Sequence, residues 1–283
     1  MSDVLERALS AITEPDAAAG AEVQRRLDEK TKPRGSLGGL ERLAVRIAGI
    51  QRTATPALGT PVVVVCAADH GVAAEGVSAY PSSVTAQMVA NYASGGAAVS
   101  VLARRAGAQL VVVDCGVAEP LPVPGVLDRR LGPGTGLDDE GLARKRDVVT
   151  RALELNQPGA HDPLGALAAV GGFELGVLAG LALGAAGRGV PVLVDGYPAS
   201  SAVLVAAALA PALPASLIAA HRSSEPGHRI VLDKLGLQPL LDLELRLGEG
   251  SGAALALPLL GAALAILDEM ATFASAGVDD SGA

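Results

Sequence analysis

Four short runs in this chain are apolar throughout, rich in β-branched residues, and stop abruptly at polar ones. The run at 62–66 leads to Asp69-His70, and the run at 110–113 to Asp114-Cys115-Gly116. The run at 190–194 leads to Asp195-Gly196, and the run at 216–220 to His221-Arg222. A strand with one wet face alternates apolar and polar residues. These runs do not alternate, so both faces are buried, as in a parallel sheet covered by helices. Ala-rich helical stretches separate the runs at about 84–105, 163–186 and 199–210. Strand and helix in repetition predict an α/β layered fold, a parallel sheet flanked by helices. In such sheets the ligand crevice lies at the carboxyl ends of the strands. That rule draws Asp69, His70, Asp114, Asp195, His221 and Arg222 towards one site, although each alone is equally an ordinary strand-end residue.

The chain ends read differently. Leu5, Leu9 and Ile12, then Leu40, Leu43, Ile47 and Ile50, recur at helical spacing. Between them lies Lys30-Thr31-Lys32-Pro33-Arg34-Gly35-Ser36-Leu37-Gly38, either a solvated connector or an arm that faces an anion. At the other end, Arg246-Leu247-Gly248-Glu249-Gly250-Ser251-Gly252 precedes an apolar helix over about 253–276. Ser251 is the expected N-cap. The glycines around Glu249 let backbone approach a ligand closely. A carboxylate there is favoured by the helix dipole, so Glu249 reads either as a charge-complementing residue or as a functional one. The expected organisation is a helical part at 1–55, a parallel α/β core at 56–245, and a loop with a C-terminal helix at 246–283.

Composition removes several function classes. The 283 residues carry a net charge of −8, with 2% aromatic residues and no Trp. That leaves no basic stripe for nucleic acid and no stacking platform for single strands. Cys66 and Cys115 sit in apolar runs and read as buried reduced thiols. The stretch 196–220 lacks charge and His, but Pro198, Pro211 and Pro214 interrupt it, so it reads as a strand end, a buried helix and a second strand. The start, Met-Ser-Asp-Val-Leu-Glu-Arg, has no apolar core of a signal peptide, which predicts a cytoplasmic protein without a membrane partner. No His pair or carboxylate-flanked pair has metal-ligand spacing, so no metal and no cofactor is expected. Gly132-Pro133-Gly134-Thr135-Gly136 follows no strand, so it is no dinucleotide fingerprint. Gly250-Ser251-Gly252 is not a nucleophile elbow.

Several segments, in order, resemble one family. They are Asp69-His70-Gly71-Val72, Gly76-Val77-Ser78-Ala79-Tyr80-Pro81, Val84-Thr85-Ala86-Gln87-Met88, Gly134-Thr135-Gly136-Leu137-Asp138-Asp139, Asp195-Gly196-Tyr197, the run from His221-Arg222-Ser223 to His228, and Arg246 to Ala253. The resemblance, from about residue 20 to residue 278, is to the nicotinate-nucleotide–dimethylbenzimidazole phosphoribosyltransferases. It implies a Rossmann-like layered domain with a small helical domain from both chain ends, assembled as a homodimer. It implies transfer of 5-phosphoribosyl from nicotinate mononucleotide to dimethylbenzimidazole, giving α-ribazole 5′-phosphate and nicotinate for the cobalamin lower ligand. By the same resemblance Glu249 is the general base. Ser78, Tyr80 and Gln87 line the benzimidazole pocket. Gly134, Thr135 and Lys145 hold the phosphate, and Asp195, Ser201, His221 and Arg222 line the nucleotide side.

The chain departs from that pattern at one place. Family members carry several dozen residues between two segments that are fused here as Leu131-Gly132-Pro133-Gly134-Thr135-Gly136-Leu137-Asp138-Asp139. The resemblance implies that this block holds a strand, a helix and a Gly-rich anion loop. Two expectations follow: an active transferase, or a non-catalytic remnant that binds a benzimidazole or pairs with a full-length homologue.

Overall fold

A computed structural model describes residues 2–119, 121, 127–128, 139–159 and 161–279. Helices α1 (Asp3–Ser10), α2 (Ala17–Asp28) and α3 (Gly39–Gln51) open the chain. Then come β1 (Val62–Ala67), α4 (Ser83–Ser94), α5 (Ala98–Arg105), β2 (Gln109–Asp114) and β3 (Leu127–Asp128). Helices α6 (Asp139–Asn156), α7 (Pro163–Val170) and α8 (Phe173–Ala186) lead to β4 (Val192–Val194), α9 (Tyr197–Leu209) and β5 (Leu217–Ala219). The chain continues through β6 (His221–Arg222), α10 (Pro226–Leu235), β7 (Leu241–Asp242), α11 (Ser251–Glu269) and α12 (Phe273–Ala276).

All four apolar runs form strands, and every strand pairing is parallel. Three expected helices are each broken in two, and the C-terminal one, 253–276, divides at Met270, where the backbone turns extended. The stretch 84–105 divides at Gly95, whose φ of 80° ends α4 in the left-handed region that a glycine enters without strain. The stretch 163–186 divides at Gly171-Gly172, where the backbone turns extended. The uncharged stretch 196–220 resolves as read, into α9, a short 3-10 turn and β5.

The strands do not make one continuous ladder among the described residues. They form β1-β2-β3, β4-β5 and β6-β7. Helix α8 packs on both β1 and β4 and so bridges the first two groups. One apolar cluster joins α8, α9 and α10 to β4 and β5. A second joins Val23, Leu27, Leu43 and Ile47 of the N-terminal helices to Leu260, Leu264 and Leu267 of α11. The chain ends are thus packed together, and Lys30 and Thr272 add a β-bridge. Helix α11 is long and apolar enough to cross a membrane, but half of its apolar window is buried inside the protein.

In the Lys30–Gly38 arm, Pro33 to Ser36 are exposed, as in a solvated connector, but the two lysines fit neither sequence reading. Lys30 Nζ donates to the Met270 carbonyl at 2.7 Å. Lys32 lies 2.9 Å from Glu41, with both side chains buried. Burial opposes the Glu41 charge, but hydrogen bonds from Lys32 and the Leu37 N–H outweigh it and hold the carboxyl below its usual range. Lys30 thus ties the two chain ends together and Lys32 pins the arm to α3, instead of facing a ligand.

Candidate functional site

The most unusual backbone lies just before α11. Gly248, Glu249 and Gly250 have φ of 79°, 63° and 79°. Three successive left-handed residues turn the chain sharply into the helix. Glycine adopts this region freely, whereas for Glu249 it costs about 1–2 kcal/mol. Such strain persists only where the surroundings impose it.

Asp195 imposes it. This residue follows β4 directly and is buried. Its two carboxylate oxygens accept from Gly250 N at 3.1 Å and Ala253 N at 2.9 Å. The expected cap, Ser251, is the first helical residue instead, and its hydroxyl has no hydrogen-bond partner. The cap position belongs to Gly250, and a carboxylate from a distant strand does the capping. An anion at a helix N-terminus is doubly favoured, by unpaired N–H groups and by the dipole.

His221 lies beneath this turn, 2% exposed, with Nε2 3.6 Å from Asp195 Oδ1. A Cβ on Gly252 would overlap its ring, so the glycine is needed for the helix start to pass over the imidazole. Next to it, His228 is fully buried. Its Nδ1 accepts from Ser223 N at 2.9 Å, so the neutral ring carries its proton on Nε2 and donates to Ser200 Oγ, also at 2.9 Å.

Glu249 itself is half-buried, and its carboxylate interacts with the Tyr92 hydroxyl of α4. Desolvation raises the Glu249 pKa, and the negative charge of Asp195 adds to the rise; the Tyr92 hydroxyl opposes it without cancelling it. Burial and the Glu249 charge keep the Tyr92 phenol protonated, as a donor must be. Desolvation is the largest cause of that rise. A carboxylate with a raised pKa, partly open to solvent, is suited to take a proton from a bound ring nitrogen.

The other sequence candidates divide. Ser78 and Tyr80 sit in the loop before α4, where Ser78 Oγ donates to the Tyr80 carbonyl at 2.7 Å; the Tyr80 side chain is exposed. Gln87 is exposed on α4, five positions before Tyr92 and so about 7.5 Å along the helix axis. Lys145 lies on α6, whose Arg144 donates to the Gly76 carbonyl at 3.1 Å and thereby holds that helix against the same loop. Ser201 Oγ donates to the Tyr197 carbonyl at 3.0 Å. Gly134 and Thr135 fall outside the described residues.

The strand-end residues do not all converge. Asp114 accepts from the Gly116 and Val117 N–H groups, and Asp69 from the Ala118 N–H; both close the loop after β2. His221 is too buried to touch a ligand, and Arg222 pairs at 3.3 Å with Asp242 on the exposed side. His70 pairs instead with Glu174 of α8 at 3.1 Å. Sequence reasoning missed Tyr92 and Glu174. Glu174 lies on an apolar helix with no motif around it, Tyr92 lies four residues beyond the Val84–Met88 segment, and the partner of each is far away in the chain. Among the described residues no group of three or more His, Cys, Asp or Glu side chains could hold a metal ion.

Comparison with known proteins agrees with this geometry. The profile of a family described as Phosphoribosyltransferase matches residues 12–133 and 125–278. A relative from Chloroflexus aurantiacus, named nicotinate-nucleotide–dimethylbenzimidazole phosphoribosyltransferase, is 44% identical over 98% of this chain and 99% of its own. A protein of the same name from Azotobacter vinelandii is 45% identical over 94% of this chain and 95% of its own. A solved structure from Thermus thermophilus, titled as the same phosphoribosyltransferase, superposes with a TM-score of 0.87 at 40% identity, covering 94% of this chain and all of that one. The Chloroflexus alignment is 348 positions long, more than the 283 residues present here, so the relative carries residues that this chain lacks. The two profile matches meet at 125–133, which places the difference there. The strand-ended α/β layers, the packed chain ends and the Glu249 turn thus belong to a member of the nicotinate-nucleotide–dimethylbenzimidazole phosphoribosyltransferase family.

Proposed function

We propose that this chain transfers the 5-phosphoribosyl group from nicotinate mononucleotide to dimethylbenzimidazole, with Glu249 as general base. The observation that carries the reading is the Glu249 turn: a strained, half-buried carboxylate with a raised pKa, beside Tyr92 and anchored through Asp195. In the reaction the C1′–N bond of the mononucleotide breaks, and its electron pair neutralises the cationic pyridine ring, which leaves as nicotinate. One benzimidazole nitrogen attacks C1′ from the opposite face, so β becomes α. The proton on the other nitrogen passes to Glu249. A positioned base of this kind contributes typically 10²–10⁴-fold.

Ser78, Tyr80 and Gln87 are assigned to the benzimidazole side, because their loop and helix adjoin Tyr92. Lys145, with Gly134 and Thr135, is assigned to the phosphate. Ser201 is assigned to the nucleotide side. Asp195 and His221 act through the Glu249 turn rather than by contact with substrate. Residues 1–55 and 246–283 form one helical part and 56–245 the sheet part of a cytoplasmic homodimer. The test is to mix pure protein, nicotinate mononucleotide and dimethylbenzimidazole and to look for α-ribazole phosphate by mass spectrometry. Product from the parent and little from Glu249→Gln supports the reading; equal product from both overturns the assignment of the base.

The residues lacking at 125–133 favour a second reading, a remnant that binds a benzimidazole or pairs with a full-length homologue. It requires no product from the parent together with intact ligand binding.

A further inference from the structure

A cavity of about 570 Å³ lies between β1 and β4. Val62, Val63 and Val64 form one side, and Val192, Leu193 and Val194 the other. Helices α8, α9 and α11 line the rest with aliphatic side chains. Neither strand is paired on this side among the described residues.

The two strands run in the same direction along it. At one end Gln51 donates to the Ala57 carbonyl at 2.8 Å, while the Ile50 carbonyl lies against Gly189. At the other end Gly250 adjoins both Val63 and Asp195. Ala57 precedes β1 and Gly189 precedes β4, so both chains travel from the Gln51 end to the Gly250 end. From Gly189 to Asp195 the path is about 20 Å, the length of a six-residue strand.

Three features specify what this space fits. Facing strand edges carry rows of N–H and C=O groups that need partners. The side chains of the walls are aliphatic apart from Gln51, Thr60 and Asp195, so the polar groups along the cavity's length are mainly those of the strand edges. Inner strands of a parallel sheet are buried on both faces, yet Val62 is 52% and Val190 50% exposed, and Leu58 and Leu181 on the same walls are also exposed. The relatives, meanwhile, carry extra residues at the point corresponding to 125–133.

We propose that the cavity between β1 and β4 is a docking site for a single extended apolar segment, seated as a parallel β-strand between them and supplied by a separate polypeptide carrying the stretch that the relatives have and this chain lacks. The segment pairs with both edges at once and covers the exposed valines. Backbone pairing gives affinity, and apolar side chains pointing alternately into the two helical layers give register.

The probe is a synthetic peptide with the stretch of the Chloroflexus aurantiacus relative that has no counterpart here, added to the full chain. Amide exchange is followed by mass spectrometry. At a peptide concentration 100 times Kd, exchange in both 62–67 and 192–194 slows about 100-fold, because only that fraction of sites is open at any moment. Val62→Lys and Val190→Lys, at half-exposed positions, leave the thermal midpoint of the free protein unchanged and weaken peptide binding at least tenfold. Protection of neither strand, or of only one, overturns the proposal. So does equal binding by a scrambled peptide or by the charged variants. Protection without peptide that grows with protein concentration also overturns it, because a second copy is then the occupant.

Discussion

Replacing Asp195 with alanine removes the carboxylate that holds the Glu249 turn. Two hydrogen bonds to a charged acceptor are lost, at 3.1 and 2.9 Å, worth about 1.5–3 kcal/mol each. The expected loss is therefore about 3–6 kcal/mol. At roughly 2–4 °C per kcal/mol for a chain of this size, the thermal midpoint falls by about 6–24 °C. Asp195→Asn keeps one acceptor oxygen and loses the charge, and falls between parent and alanine. The loss is local: amide exchange accelerates first over residues 248–254. A second readout separates support of Glu249 from mere stability. The Asp195 charge helps to raise the Glu249 pKa, so in Asp195→Asn the acid limb of the pH–rate profile moves to lower pH. A midpoint within about 2 °C of the parent in Asp195→Ala, set against the expected fall, or an acid limb that stays in place, would refute the reasoning.

Further outcomes follow from the same contacts. Glu249→Gly relieves the left-handed strain and raises stability by about 1–2 kcal/mol, read from urea unfolding, while abolishing product formation; a destabilised glycine variant contradicts the strain argument. Lys32→Met leaves the Glu41 carboxylate buried and unpaired and costs about 3–5 kcal/mol, whereas adding Glu41→Leu recovers much of that loss in the same unfolding assay. Burial, then the neighbouring His221, lowers the His228 pKa. The unfolded chain thus binds the proton more readily, and stability falls as pH drops below about 6.5; urea midpoints between about pH 7.5 and 5.5 show a slope that is flatter in His228→Asn. Burial, then Cys115, pushes the Cys66 thiol up to about 12, so alkylation of Cys66 at about pH 8 is far slower than that of a free thiol.

The layered fold was legible because its signals are local. Apolar runs without alternation marked the strands and Ala-rich stretches the helices, but not the breaks at Gly95 and Gly171-Gly172 that divide two of those stretches. Glu249 was also legible, since glycines on both sides mark a turn that other residues resist. The source of its cap was not. Ser251 has the right chemistry at the right offset, but Asp195 arrives from β4 with two oxygens and a charge, and takes both N–H groups. Nor was the fate of Lys30 and Lys32, which looked free to meet an anion and instead satisfy Met270 and Glu41.

The four main strands, the family and the turn that carries Glu249 were written in neighbouring residues, because periodicity, turn chemistry and motif order are local properties. Packing settled the rest. It assigned the polar groups that are used up in holding loops and helix ends, brought Tyr92 close to Glu249, and buried that carboxyl enough for desolvation to raise its pKa. It also set β1 and β4 facing each other across an apolar cavity. Those outcomes depend on burial and on contacts between distant segments, which no local pattern encodes.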